Sequence, residues 1–378
     1  MSAYIESALL SLTAGFQALN IQQAVMIVIG LTLIFLALKY KFEPLLLIPI
    51  GFGAVLVNLP MTHLMEPGGL LRIIYDFGII NELFPCLIFI GVGAMCDFGP
   101  LLENPKLLLL GAAGQFGIFL TMFLALQLGF SRLDACTIGI IGACDGPTSI
   151  YFSSKFSPQL LAAVSVAAYS YMSLVPLIQP PLMRALTTKK EREVNMGFVN
   201  QSVSPTVRKL FPIVVTVFTC LVAPMGAPLI GTLMLGNLLR ESLVTERLSQ
   251  TAQNELVNIV TLLLGTCIGA TMNAENFLKG QTLIIFGLGL IAISLDTVCG
   301  LFLGKIMYRL SGGKVNPLIG AAGISAFPMA ARVVQAEGHK ADSQNFLLMH
   351  AVGVNVGGQI ASIMAAAIML SVLQGMGV

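Results

Sequence analysis

Asp145 stands inside the run Gly139-Ile-Ile-Gly-Ala-Cys-Asp-Gly-Pro-Thr-Ser-Ile-Tyr151, between stretches apolar enough to cross a membrane. An uncompensated carboxylate at that depth costs about 3 kcal/mol or more, so it marks a function before it marks a fold. Gly146 tolerates unusual backbone angles and Pro147 lacks an N–H, so a helix must break beside the acid and leave carbonyls without intrahelical partners. Thr148 and Ser149 add two hydroxyls at the same place. Carboxylate, hydroxyls and freed carbonyls form an oxygen set suited to a hard cation.

The surrounding chain fixes the class. Of its 378 residues 56% are hydrophobic and only 10% charged, where soluble domains carry about 25% charge. Several apolar runs approach the ~20 residues a spanning helix needs. The expectation is one all-α polytopic membrane domain over residues 1–378, embedded in lipid. A net charge of +2 gives no footing for nucleic acid, and the basic residues fall in loops as topology signals. The seven cysteines lack metal-ligand spacing and read as buried free thiols. Residues Met1 to Asn20 show no basic n-region or cleavage pattern, so no cleaved signal is expected.

Along the chain, Ile21–Leu38 reads as a first span entering the cytoplasm at Lys39 and Lys41, and Glu43–Leu59 as a return. Met65–Glu82 reads as an interfacial amphipathic helix around Arg72 and Asp76. Phe84–Phe98 goes in and Leu107–Leu128 comes out. The Asp145 stretch either crosses as a broken helix or enters from outside and turns back. Pro158–Ile178 then leads to the densest cationic segment, Arg184 to Lys209. With the N-terminus outside, only the re-entrant alternative puts that loop in the cytoplasm, where it belongs.

The second half repeats the first. Gly139, Gly142 and Pro147 fall on Gly320, Gly323 and Pro328 at one offset of 181 (320 − 139, 323 − 142, 328 − 147), and Gly93-Ala94 and Asp97 fall on Gly269-Ala270 and Asn273 at 176 (269 − 93, 273 − 97). Two pseudo-repeats are expected, about 21–180 and about 211–374, joined by a cytoplasmic basic loop about 182–210. Five spans and one hairpin each make them inverted, with about ten spans in all and an elevator-type core and scaffold. The second broken stretch, Asn316 to Val334, then faces Asp145.

That juxtaposition would gather Asp145, Thr148, Ser149, Asn316, Ser325 and Asn355 as an oxygen set suited to Na+ or H+, with Tyr169, Tyr171 and Arg332 nearby. Each has a plainer reading beside it. Asn316 and Asn355 could be interhelical glue, the tyrosines packing, and Arg332 a side chain snorkelling to the interface. Asp296 is a second buried acid without a helix break beside it in the sequence. His350 reads as a packed histidine.

At these residues the chain resembles the β subunits of the sodium-translocating, biotin-dependent decarboxylases that act on oxaloacetate, methylmalonyl-CoA, glutaconyl-CoA or malonate. The likeness covers nearly the whole length and rests on Gly142-Ala-Cys-Asp-Gly-Pro-Thr148, Asn316-Pro-Leu-Ile-Gly320, Gly323-Ile-Ser-Ala-Phe-Pro-Met-Ala-Ala-Arg332 and Asn355-Val-Gly-Gly-Gln359. It implies decarboxylation of carboxybiotin coupled to Na+ export with proton uptake. Asp145, Tyr171 and Arg332 would be the catalytic residues, with Arg332 also meeting carboxybiotin, and Asn316, Gly320, Ser325 and Asn355 would match the family's other motif residues. The biotin would ride on a carrier partner, because no Ala-Met-Lys-Met sequence occurs here. The resemblance further implies a carboxyltransferase subunit, a small membrane anchor, a homo-oligomer, and a bacterial or archaeal plasma membrane. A stand-alone Na+/H+ exchanger or Na+-coupled transporter is the alternative from another class. The chain is shorter than some oxaloacetate-type relatives, which favours an acyl-CoA system.

Overall fold

The computed structural model describes residues 13–41, 44–197 and 203–375, and most of the N-terminal segment expected to lack a signal lies outside them. Of the nineteen α-helices among the described residues, sixteen carry the architecture. In the first half these are α1 (Ile21–Tyr40), α2 (Pro44–Asn58), α3 (Leu70–Tyr75), α4 (Leu83–Met95), α5 (Leu107–Ala113), α6 (Phe116–Gln127), α7 (Arg132–Gly139), α8 (Gly146–Phe156) and α9 (Leu161–Leu186). The second half holds α10 (Pro205–Val222), α11 (Ala227–Glu241), α12 (Glu246–Thr251), α13 (Val257–Thr271), α14 (Gly280–Leu310), α15 (Met329–Ala341) and α16 (Leu348–Gly375). No strand occurs among the described residues.

Among the described residues six helical segments are individually long and apolar enough to span a bilayer, and two bent helix pairs raise the number to eight. The two further spans expected from the sequence correspond to α2 and α11, each only 15 residues. Both are short for a bilayer, and both are held from the side. α2 packs on α13 and α4 on α11, the two most extensive helix contacts in the protein.

These two contacts are copies of one another. Gly53 of α2 meets α13 at Thr266 and Gly269, while Gly236 of α11 meets α4 at Ile90 and Ala94. The absence of side chains lets the backbones touch, as membrane helix pairs require. Asn58 donates from Nδ2 to the Met272 carbonyl at 2.8 Å, and Asn237 donates to the Cys96 carbonyl at 3.0 Å. Each asparagine thereby closes the C-terminal end of the helix that its own helix packs against. The π-helical turns Asp76–Ile80 and Ala252–Leu256 are also 176 residues apart (252 − 76), the offset that relates Gly93 to Gly269.

The segment expected as an interfacial helix over Met65–Glu82 is helical only from Leu70 to Ile80 and meets α4 at a bend of 60°. Arg72 pairs with Asp76 at 2.8 Å, and Leu70, Ile73 and Phe77 remain outward-facing.

The first broken stretch is a hairpin. Ser157, just beyond α8, donates to the Asp134 carboxylate near the start of α7 at 2.7 Å, and Gln159 donates to the same oxygen at 2.7 Å. Both ends of the α7–α8 unit therefore lie together, as the re-entrant alternative requires. The second stretch runs as a 3-10 segment, Pro317–Gly323, laid along α14, then turns at Ile324–Pro328 into α15.

Candidate functional site

The local sequence sets the Asp145 corner. Ile140–Ala143 tightens into a 3-10 turn, Cys144 takes a left-handed conformation at φ 54°, and Asp145 is extended with Gly146-Pro147 opening α8. Asp145 is 4% exposed. Thr148 donates to its Oδ2 at 2.6 Å, and the Ser362 hydroxyl of α16, which donates to the Gln359 carbonyl at 3.0 Å, lies near the carboxyl. The Ser149 hydroxyl donates to the Asp145 main-chain carbonyl at 2.8 Å. Thr148 therefore addresses the carboxylate, whereas Ser149 stabilises the first turn of α8.

The hairpins meet at their tips. The Ser325 N–H donates to the Ala143 carbonyl at 3.0 Å, and its hydroxyl donates to the Gly358 carbonyl at 2.9 Å. Between the tips and the helices α2, α4 and α13 lies a cavity of about 170 Å³, whose polar lining includes Asp145, Ser325, Gln359, Tyr169 and Thr261.

The unwound second hairpin is held by side-chain amides. Gln179 donates to the Ala321 carbonyl at 2.7 Å, and Asn355 to those of Ala322 and Ile324 at 3.1 and 2.7 Å. Gln115 donates to Gly323 at 2.7 Å, and Gln359 to Ser325. Five consecutive carbonyls, left without helical partners, are each satisfied this way, as buried polar backbone must be. The amide oxygens of Gln115, Gln179, Asn355 and Gln359 are buried without hydrogen-bond partners. Such oxygens are acceptors without a donor, the condition that a cation relieves.

The structure brings Asp145, Thr148 and Ser325 to the cavity wall or its edge and sets Asn355 directly behind the Ser325 tip. Asn316 is placed elsewhere. Its Oδ1 accepts from the Leu318 N–H at 3.0 Å and its Nδ2 donates to the Arg192 and Val194 carbonyls, each at 2.9 Å. It caps the 3-10 segment and ties it to the loop that follows α9. Tyr171 also differs from expectation, because its hydroxyl donates to the Phe286 carbonyl and its ring packs on Gly289. Two helical residues are about 200° apart on the helix, so only Tyr169 faces the acid. A Cβ on Gly146 would come within 2.2 Å of the Tyr169 ring. Arg332 is exposed on α15, away from the cavity lining, and makes no ion pair among the described residues.

Gln115, Gln179 and Ser362 lie outside the sequence motifs, and Gln359 enters only as the end of the Asn355 motif. A usable signal existed for Gln115, which precedes Asp296 by 181 residues (296 − 115), the hairpin offset. Asp296 accepts from the Gly117 N–H at 2.5 Å. The helix break missing from its own sequence lies on its neighbour, between α5 and α6, and the acid caps the freed start of α6.

Residues 22–373 match the family described as Na+-transporting oxaloacetate decarboxylase beta subunit. The chain is 54% identical to methylmalonyl-CoA decarboxylase subunit beta of Veillonella parvula, over 95% of both chains. It is 53% identical to glutaconyl-CoA decarboxylase subunit beta of Acidaminococcus fermentans, over 96% of both. With the oxaloacetate decarboxylase beta chain of Klebsiella pneumoniae the identity is 46%, over 96% of this chain and 98% of the relative.

Proposed function

The chain belongs to the β-subunit family of the Na+-transporting decarboxylases and is the membrane subunit of a multi-subunit decarboxylase sodium pump; from that premise we propose that its Na+ binds in the Asp145 cavity. The observation that carries this reading is the convergence of a buried carboxylate, the Ser325 tip and the Gln359 amide around one cavity between two broken helices. Na+ allows the carboxylate to remain ionised at depth, and the partnerless amide oxygens of Gln359 and Asn355 can rotate toward it. Thr148 holds the carboxylate oriented. Ser149 and Asn316 support the two hairpins from behind, and Tyr169 is the tyrosine within reach of the reacting ion site.

Carboxybiotin, carried by a partner protein, meets Arg332 on the cytoplasmic side, where an unpaired guanidinium suits a carboxylate. In the reaction the bond between the biotin nitrogen and the carboxyl carbon breaks, CO₂ leaves, and the nitrogen keeps the electron pair and takes a proton. Moving one charge outward against 100 mV costs about 2.3 kcal/mol, which sets the energy the decarboxylation must supply per ion. The unit formed by both hairpins with α5, α6, α9, α14 and α16 moves against α1, α2, α4, α10, α11 and α13, and the chain's two repeats, about 21–180 and about 211–374, each contribute to both parts. The carrier, a carboxyltransferase and a small membrane anchor complete the complex. Higher identity to the acyl-CoA relatives than to the oxaloacetate relative, 54% and 53% against 46%, favours an acyl-CoA feeding the biotin.

The test is CO₂ release from carrier-bound carboxybiotin by the assembled complex, titrated with Na+ against K+, for wild type and Asp145→Asn. Na+-dependent release should collapse in the variant. Full Na+-dependent release by Asp145→Asn would put the ion elsewhere.

A further inference from the structure

The two hairpins are held by different means. Four side-chain amides grip the second one, and the offset of 181 that relates the hairpins gives each amide a counterpart position in the other half. Asn355 and Gln359 map onto Leu174 and Ile178 (355 − 181, 359 − 181), and Gln179 onto Ile360 (179 + 181). None of these side chains can donate to a carbonyl. Gln115 alone keeps a polar counterpart, Asp296 (115 + 181).

Asp296 stands where such a clamp would act. It is fully buried on α14, and its Oδ1 accepts from the Gly117 N–H at the start of α6. Its Oδ2 faces the first hairpin, because a Cβ on Gly142 would lie 3.0 Å from that oxygen and 3.1 Å from the Ile118 nitrogen of α6. Gly142 directly precedes Ala143, whose carbonyl is bonded to the Ser325 N–H, and stands three residues before Asp145. The carboxyl group is thus wedged between α6 and the turn that presents Asp145. Its Oδ2 has no hydrogen-bond partner, and Asp296 enters no ion pair among the described residues. α5, α6 and the 3-10 segment packed on α14 carry no titratable side chain. The titratable groups facing Asp296 are the thiols of Cys144, at the hairpin corner, and Cys299, one turn further along α14, while Tyr171 of α9 packs two turns away on Gly289.

A carboxylate buried with one N–H and no cation is costly. A neutral carboxyl group avoids that cost. Its carbonyl oxygen serves Gly117, and its hydroxyl is a donor, as the Gln115 amide is for the other hairpin. We propose that Asp296 is a positioning residue that works as a neutral acid, the counterpart of Gln115, holding the turn of the first hairpin on α6 and thereby placing Asp145 for the ion. The proposal rests on the reading that Asp145 binds Na+.

The experiment compares wild type, Asp296→Asn and Asp296→Leu in the assembled complex. Infrared spectra at neutral pH read the carbonyl band of a carboxylic acid, and CO₂ release titrated with Na+ gives turnover and the half-saturating concentration. Asp296→Asn keeps an acceptor and a donor in the same place. It should remove a carboxylic-acid band that wild type shows with and without Na+, and leave turnover and Na+ dependence as in wild type. Asp296→Leu leaves the Gly117 N–H unmatched and the turn unclamped, and should raise the half-saturating Na+ concentration about 10–100-fold. Absence of the band from wild type, or an asparagine variant as impaired as the leucine one, would show an ionised Asp296 and overturn the proposal. So would a folded leucine variant with unchanged Na+ dependence. If the leucine variant does not assemble, the band and the asparagine variant decide. Failure of the Asp145 reading is distinguishable, because it would leave the band in place while Asp145→Asn kept its Na+ dependence.

Discussion

The main-chain N–H of Ser325 donates to the carbonyl of Ala143 at 3.0 Å, so the tip of the second hairpin is sewn to the tip of the first beside Asp145. Neither hairpin can shift there without the other. The bond is independent of the Ser325 side chain, whose hydroxyl instead donates to the Gly358 carbonyl of α16. Ser325→Ala should therefore leave the tips joined while removing a cavity oxygen and exposing one buried carbonyl, a loss of about 1–3 kcal/mol. The half-saturating Na+ concentration for CO₂ release should rise about tenfold or more. An unchanged Na+ dependence would show that Ser325 only shapes the tip.

The two tyrosines of α9 are separable by the same assay. Tyr169→Phe keeps the ring on Gly146 and removes the hydroxyl that faces the cavity. If that hydroxyl handles the proton, turnover should fall about a hundredfold, the usual size of a positioned proton donor. Tyr171→Phe breaks the bond to the Phe286 carbonyl and should lower the melting temperature with little change in turnover. The reverse pattern would return the role to Tyr171.

At the C-terminal end of α9, Arg184 donates to both carboxylate oxygens of Glu337, at 2.7 and 2.8 Å, and Lys340 donates at 2.7 Å. The Arg184 guanidinium holds the Glu337 carboxyl below its ordinary range despite its burial. A depressed folded-state value contributes stability above the unfolded value, and that stability is lost as pH falls through the folded one. Arg184→Ala should lower the melting temperature at neutral pH. Its difference from wild type should shrink once the pH drops below the ordinary carboxylate range, near 4.5. A difference constant with pH would mean that Arg184 acts through packing.

How far the site was legible depended on whether the signal was local. The Asp145 break could be read because a charge, a glycine and a proline adjoin in an apolar run, and the second hairpin because its glycines and proline repeat that spacing. Asn316 carried two meanings. An asparagine before a proline is also a helix-start signal, and the structure uses it so. The choice between Tyr169 and Tyr171 needed the orientation of α9, which no apolar run discloses. The amide clamp of Gln115, Gln179 and Gln359 comes from the break before α6 and from α9 and α16, far apart in the chain, so only the 181-residue offset linking Gln115 to Asp296 announced any of it.

The paired asparagines test the repeat itself. Asn58 makes three bonds: Nδ2 to the Met272 and Ala54 carbonyls, both at 2.8 Å, and Oδ1 from the Ala274 N–H at 3.0 Å. Asn237 donates to Cys96 at 3.0 Å and to Gly93 at 3.5 Å, while its own oxygen is buried without a partner. The positions correspond, but their balance of polar groups does not. Asn58→Leu strands a carbonyl and an N–H at the end of α13, each costing about 1–3 kcal/mol. Asn237→Leu strands chiefly the Cys96 carbonyl and also removes an unsatisfied oxygen, so its net cost should be about 1 kcal/mol. Thermal melting of the two variants in one detergent should show the larger drop for Asn58→Leu. Equal drops would mean that the Asn237 oxygen has a water or lipid partner in the membrane, and that the two halves are closer copies than their hydrogen bonds suggest.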